Sequence, residues 1–262
     1  MSPPGQRYQV RRDDFFYLLA QGLIPKASGL NKFGRNPDID TGTLPEDVWD
    51  AGGVWVPPTI ARVHDLVSTS VNDAAGGTGA RTVRLTGLTS WSALPETEVV
   101  TLDGTTPVAT LKAWVVIYRM ETLTFGGTRS NEGDVTATAV VDATVTAQIG
   151  VGSGQTLMAI FAIPSAQKLF LTRYYIGWVR SAAAANSADL DLLVNLRPDQ
   201  ADGGFVTKHH LGLFGSGTTH IPHEFKPYLV IPGPAIIKLQ VTDVSASNTS
   251  ITGGFDGVVV EV

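Results

Sequence analysis

From Val54 onward apolar and polar residues alternate with period two, the pattern of strands that bury one face. RVHDLVSTS, RTVRLTGL, EVVTLDG, TPVATLKAWVVIYRMETLTF and VTATAVVDATVTAQI carry it through the first half, broken by clusters of Gly, Asn, Asp and Pro. The half from Ala147 repeats it in LMAIFAIP, KLFLTRYYIGWVRS, DLDLLVNLRP, GFVTKHHLGL, YLVIP, AIIKLQVTDVS and FDGVVVEV. Turn signals every 8 to 12 residues or so predict β-sandwiches rather than alternating strands and helices. Asp103-Gly104, in LDGTT, predicts a hairpin.

Before Val54 the texture differs. DDFFYLLAQG, Asp13 to Gly22, predicts one short helix, opened by acids and closed by Gly22 and Pro25. The stretch from Asn31 to Trp55, NKFGRNPDIDTGTLPEDVWDAGGVW, has neither period and predicts an acidic, turn-rich strap. The expected fold is therefore all-β: one or two antiparallel β-sandwich or jelly-roll modules with an extended N-terminal arm containing a short helix. The expected division is 1–53 for arm and strap, 54–147 for a first module and 148–262 for a second.

Composition narrows the function. Hydrophobic residues make up 43% of the 262 and charged residues only 16%, against about 25% charged in ordinary globular domains. A surface so poor in charge fits a subunit that buries much of it against neighbours. The formal charge of −5 lacks the basic stripe of a nucleic-acid binder. With no cysteine, thiolate metal sites and a cysteine nucleophile are excluded. MSPPGQRYQVRR leads into no apolar run of secretory type, and no run reaches membrane-spanning length.

Candidate chemistry is sparse. Asn36, Asp38, Asp40 and Asp47 fall near the oxygen-ligand spacing of a calcium loop, but the glycine comes one residue late as Gly42 and Pro37 stiffens the start. A hydrogen-bonded turn cluster is the simpler reading. His209, His210, His220 and His223 lie within KHHLGLFGSGTTHIPHEF and could hold a divalent metal if a hairpin gathered them. On a strand, though, His209 and His210 face opposite sides; polar side chains at a hairpin and intersubunit surface are the alternative. QIGVGSGQT lacks the lysine and spacing of a phosphate loop. Trp91, Trp114, Tyr174, Tyr175 and Trp178 could form a sugar platform but sit in apolar runs, where core packing explains them. No catalytic constellation is visible, so neither an enzyme nor a cofactor is expected. Phe15, Phe16, Tyr17, Asp38, Asp40, Trp49 and Trp55 are the expected interface residues.

KFGRNPDIDTGTLPEDVWDAGG resembles a segment of tailed-bacteriophage virion structural proteins. SVNDAAGGTGARTVRLTGL with VVTLDGTTPV, AQIGVGSGQTLMAIFAIP, KHHLGLF and SASNTSITGGFDGVVVEV are similar too, so the resemblance runs from Phe33 onward. It implies a particle component and carries no active site. The expected function is thus a structural component of the virion, foremost a capsid decoration (cement) protein. The alternatives are a head–tail junction or tail-fibre component, and a carbohydrate-binding host-attachment module. The expected partners are the major capsid protein or other virion subunits and further copies of the chain, as a trimer, with neither nucleic acid nor membrane. The expected location is the virion, assembled in the host cytoplasm.

Overall fold

The computed structural model describes residues 12–58, 60–179, 187–215 and 219–262. The first eleven residues, where the expected arm begins, lie outside the described residues. What is described is nearly all strand. One helix, α1 (Arg12–Ala20), precedes β1 (Ala27–Ile39), β2 (Glu46–Asp47), β3 (His64–Ser68), β4 (Ala80–Leu88), β5 (Glu96–Thr101), β6 (Val108–Ala109), β7 (Val116–Phe125) and β8 (Val135–Ala139). There follow β9 (Thr144–Ile149), β10 (Ile160–Ile163), β11 (Gln167–Val179), β12 (Ser187–Asn195), β13 (Val206–Phe214), β14 (Thr219–Pro232), β15 (Ala235–Val244) and β16 (Thr249–Glu261).

Every strand pairing is antiparallel. The first sheet has the order β1-β16-β11-β14, and the second β10-β15-β12-β13 with β2 also on β15. The third is β6-β3-β8-β9 and the fourth β5-β4-β7. The predicted turn is present as a minimal hairpin: Asp103 and Thr106 pair antiparallel around Gly104-Thr105, with Thr106 N donating to the Asp103 carbonyl at 3.0 Å and Gly104 at φ 62°. It carries the chain from β5 to β6, which lie in different sheets.

The strands bury alternate residues as the period predicts. On β11 the inward set is Leu169, Leu171, Tyr174, Ile176 and Trp178, all fully buried; a bulge between Leu171 and Arg173 shifts the phase. Buried apolar residues from all four sheets form one contiguous cluster that includes Trp55, Trp114, Trp178 and Phe255. Each such side chain contributes about 1.5–3 kcal/mol by leaving water.

The predicted strap is corrected by β1. Ala27–Ile39 is a thirteen-residue edge strand paired with β16, and Glu46–Asp47 pairs with β15, so this segment is built into sheets made by the chain's second half. Its period was invisible because its inward positions are Lys32, Gly34 and Asn36 rather than apolar residues. Hydrogen bonds satisfy the polar two: Lys32 Nζ donates to the Tyr118 carbonyl, and Asn36 Nδ2 to Glu46 Oε2 at 2.9 Å and the Asp47 carbonyl at 3.2 Å. Gly34 is needed for space, since a Cβ there would stand 2.3 Å from Ala159 N and 2.4 Å from the Val48 carbonyl oxygen. The division expected at 147/148 also falls inside β9.

Candidate functional site

Residues 31–55 hold the two halves of the chain together. Trp55 Nε1 donates to the Thr146 carbonyl at 2.8 Å, Gln148 Nε2 to the Asp50 carbonyl at 3.3 Å, and an Arg119 guanidinium N–H to the Asn31 carbonyl at 3.1 Å. Trp49 and Trp55, expected at an interface, are 4% and 1% exposed in this chain's own core, so neither is presented to a neighbour.

The acids serve the same end. Asp47 Oδ2 accepts from Lys238 Nζ and Trp55 N, each at 2.7 Å, and Oδ1 accepts from Gln240 Nε2 at 2.8 Å. Burial pushes the Asp47 carboxyl up against the pull of Lys238. Burial also raises Glu46, but the donors Thr43, Gly53 and Asn36 outweigh it and hold that carboxyl below its usual range. Asn36 and Asp47 are buried while Asp38 is exposed, and Asp40 Oδ1 accepts from Asn248 N at 3.0 Å. The four calcium-spaced residues therefore do not converge. Among the described residues no three His, Asp or Glu side chains form a metal-holding group.

Helix α1 lies on the outer face of the first sheet. Leu19, 6% exposed, rests over Gly29, with its Cδ2 3.9 Å from where a Cβ would stand. A Schellman closure ends the helix: Leu23 N donates to the Leu18 carbonyl at 2.9 Å and Gly22 N to the Leu19 carbonyl at 3.0 Å, with Gly22 at φ 70°. Phe15 is half-buried and meets Phe16 edge-on at 5.4 Å. Phe16 and Tyr17 are 41% and 64% exposed.

The four clustered histidines separate into three places. His209 and His223 face each other on β13 and β14, ring centroids 4.0 Å apart, with the Tyr174 hydroxyl 2.6 Å from His209 Nδ1. Burial, then the neighbouring His223 and His210, holds His209 below the usual imidazole range. His210 points the other way, its Nδ1 2.8 Å from Asp191 Oδ1, while His220 lies beside the Tyr175 ring at 5.9 Å.

Of the aromatics considered for sugar stacking, Trp114, Tyr174 and Trp178 are fully buried and Trp91 packs against the core. Tyr175 stands on the outer face of the first sheet, where the register aligns Asn31, Asp256, Arg173 and Glu224 in one row across β1, β16, β11 and β14. Sequence reasoning missed this row because its members are scattered along the chain, Asn31 and Asp256 being 225 residues apart and Arg173 and Asp256 83. Its one local signal is the polar position breaking each apolar run.

No protein-family model matches the sequence, and no curated protein matches it. Among the solved structures that are distantly similar are the following. The CBM22-1–GH10 modules of a Clostridium thermocellum xylanase, complexed with xylohexaose, are 6% identical at a TM-score of 0.22; the match covers 76% of this chain and 28% of that one. The tandem CBM22 domains of a Paenibacillus barcinonensis xylanase are 8% identical at a TM-score of 0.26, over 77% of this chain and 79% of that one. The VP2 subviral particle of infectious bursal disease virus is 10% identical at a TM-score of 0.19, over 95% and 77%. TM-scores this low carry no argument about what the chain does. The class that the structure defines is a nearly all-β protein of antiparallel sheets with one short helix.

Proposed function

We propose that the protein is a structural subunit of a tailed-phage virion, in the role of a capsid decoration protein that docks on the major capsid protein through its N-terminal segment. In this reading the third and fourth sheets form one β-sandwich and the first and second another, of jelly-roll type. The observation that carries the proposal is helix α1. Leu19 is its one fully buried side chain among those described, while Phe16, Tyr17 and, just past the helix, Leu23 stand 41%, 64% and 63% exposed. A nine-residue helix is too short to hold itself in water, and this one leaves two adjacent aromatic side chains, Phe16 and Tyr17, outside the fold. A charge-poor chain with an apolar, outward-facing N-terminal element is built to be covered by a neighbour. The resemblance of the sequence to virion structural proteins supports the same reading.

The test uses deletion of residues 1–22, which leaves β1 intact, and the full-length double variant Phe16→Ser/Tyr17→Ser. Each is added to capsids stripped of the protein, and occupancy is counted by electron microscopy. Both variants are expected to keep the oligomeric state of the intact chain in light scattering and to leave the capsids bare. Full occupancy by either variant would sink the proposal.

A further inference from the structure

Three neighbouring cross-strand rows make up the middle of the outer face of the first sheet. Gly29, Val258, Phe170 and Val230 make an apolar row; Asn31, Asp256, Arg173 and Glu224 a polar one; Phe33, Gly254, Tyr175 and Pro222 an aromatic one. The polar row is internally braced. Asn31 Nδ2 donates to Asp256 Oδ1 and Arg173 Nε to Asp256 Oδ2, each at 2.5 Å, and Lys226 Nζ lies 2.6 Å from Glu224 Oε2. A Cβ at Gly254 would meet the Tyr175 hydroxyl oxygen at 2.5 Å and Cζ at 2.7 Å, so the hydroxyl end of Tyr175 occupies the space that this glycine leaves open. Between this face and α1 opens a cleft of about 770 Å³, lined among others by Phe16, Asn31, Arg173, Glu224, Tyr228 and Asp256.

We infer that this cleft binds a short neutral oligosaccharide. The volume lies in the range of small-molecule sites, about 300–1,000 Å³. Two acids, Asp256 and Glu224, face two bases, Arg173 and Lys226, so the cleft has no net formal charge to attract an ion of either sign. What it offers is a planar amide, a carboxylate and a guanidinium, locked side by side. Only one of the five N–H donors of Arg173 goes to Asp256 through Nε, and the carboxylate retains acceptor capacity. Adjacent donors and acceptors at fixed spacing suit the vicinal hydroxyls of a pyranose. Phe16 and Tyr228, 41% and 42% exposed at the cleft, give the sugar's C–H faces a surface to cover. Preorganisation matters here because holding the side chains beforehand removes an ordering cost from binding. The inference goes beyond the capsid-docking proposal and does not rest on it.

The experiment titrates the full-length protein calorimetrically with gluco-, manno- and galacto-configured neutral hexasaccharides and with a uronic-acid hexasaccharide. Saturable binding of at least one neutral sugar is expected, unchanged between low and high salt. Asp256→Asn and Tyr228→Ala should each weaken it by about tenfold without changing capsid occupancy, and Tyr228→Ala should do so without changing thermal unfolding. Tyr228 is exposed, so its variant keeps the test clear of folding defects. The inference is overturned if no neutral sugar binds at millimolar concentration. It is equally overturned if both variants bind as tightly as the parent, or if only the uronic-acid sugar binds and salt abolishes it.

Discussion

Replacing Asp47 with alanine tests whether the acidic segment is structural cement or an ion site. The Asp47 carboxylate is fully buried and Lys238 is 2% exposed, so removing the acid strands an ammonium that has no route to water; its other close neighbour is the Phe205 ring at 4.5 Å. Breaking a buried pair from one side costs about 3–5 kcal/mol. The Trp55 N–H and the Gln240 amide lose their acceptor as well, and an orphaned buried donor adds about 1–3 kcal/mol. A loss of at least 4 kcal/mol or so is thus expected, a large fraction of the about 5–15 kcal/mol that holds a typical fold. At about 2–4 °C per kcal/mol for a chain of this size, melting should fall by about 10 °C. Urea unfolding at neutral pH, followed by tryptophan fluorescence, reads it directly. Asp47→Leu combined with Lys238→Met, which removes both charges, should recover most of the loss. If Asp47→Ala stays within about 1 kcal/mol of the parent, the ion pair is not what holds this segment. Added calcium should leave the parent's melting temperature where it is; a rise would restore the ion-site reading.

Asp73→Ala should cost about 2–4 kcal/mol in the same urea assay. Its buried carboxylate accepts from Ser68 Oγ, Ala80 N, Glu132 N and Gly133 N, which ties two loops together. Stability should also fall on acidification. Burial depresses His64, and burial with His223 and His210 depresses His209. The unfolded chain therefore binds protons first as pH drops below about 6.5. The sign follows: stability is full above that value and is lost as pH falls through the folded-state values. His209→Gln should flatten the fall between pH 7 and 5 in denaturant titrations, and a steeper fall would contradict the assignment.

How far the sequence discloses all this depends on which residues face inward. Wherever a strand buries Val, Leu or Ile at alternate positions, as β4 does with Val83 and Leu85, the period is plain. On β1 the inward positions carry Lys32, Gly34 and Asn36, and no hydrophobic period exists to be read. The short helix was legible because its acids, apolar middle and closing Gly22 are all local. The row of Asn31, Asp256, Arg173 and Glu224 was not. Its members become neighbours only through the pairing of β1 with β16 and of β11 with both β16 and β14. The histidine cluster shows the converse. Residues close in sequence were separated by strand alternation, which left only His209 and His223 face to face.

That topology bears on how the two surfaces arise. β1 pairs with β16, so residues 27–39 stay without their sheet until residues 249–260 are available. Contacts of such long sequence separation form late, because closing the loop costs entropy before the pairing rewards it. Until then Lys32 has no enclosed place beside Tyr118, and burial, reinforced by the Arg119 charge, holds the enclosed ammonium well below the usual lysine range. Asn31 on β1, Arg173 on β11 and Asp256 on β16 meet in the same event, and α1 gains the Gly29 floor on which Leu19 rests. The seat of α1 and the cleft beside it are thus both products of one late strand pairing. A chain that has not closed its first sheet presents neither, so both proposed binding events would require a completed fold.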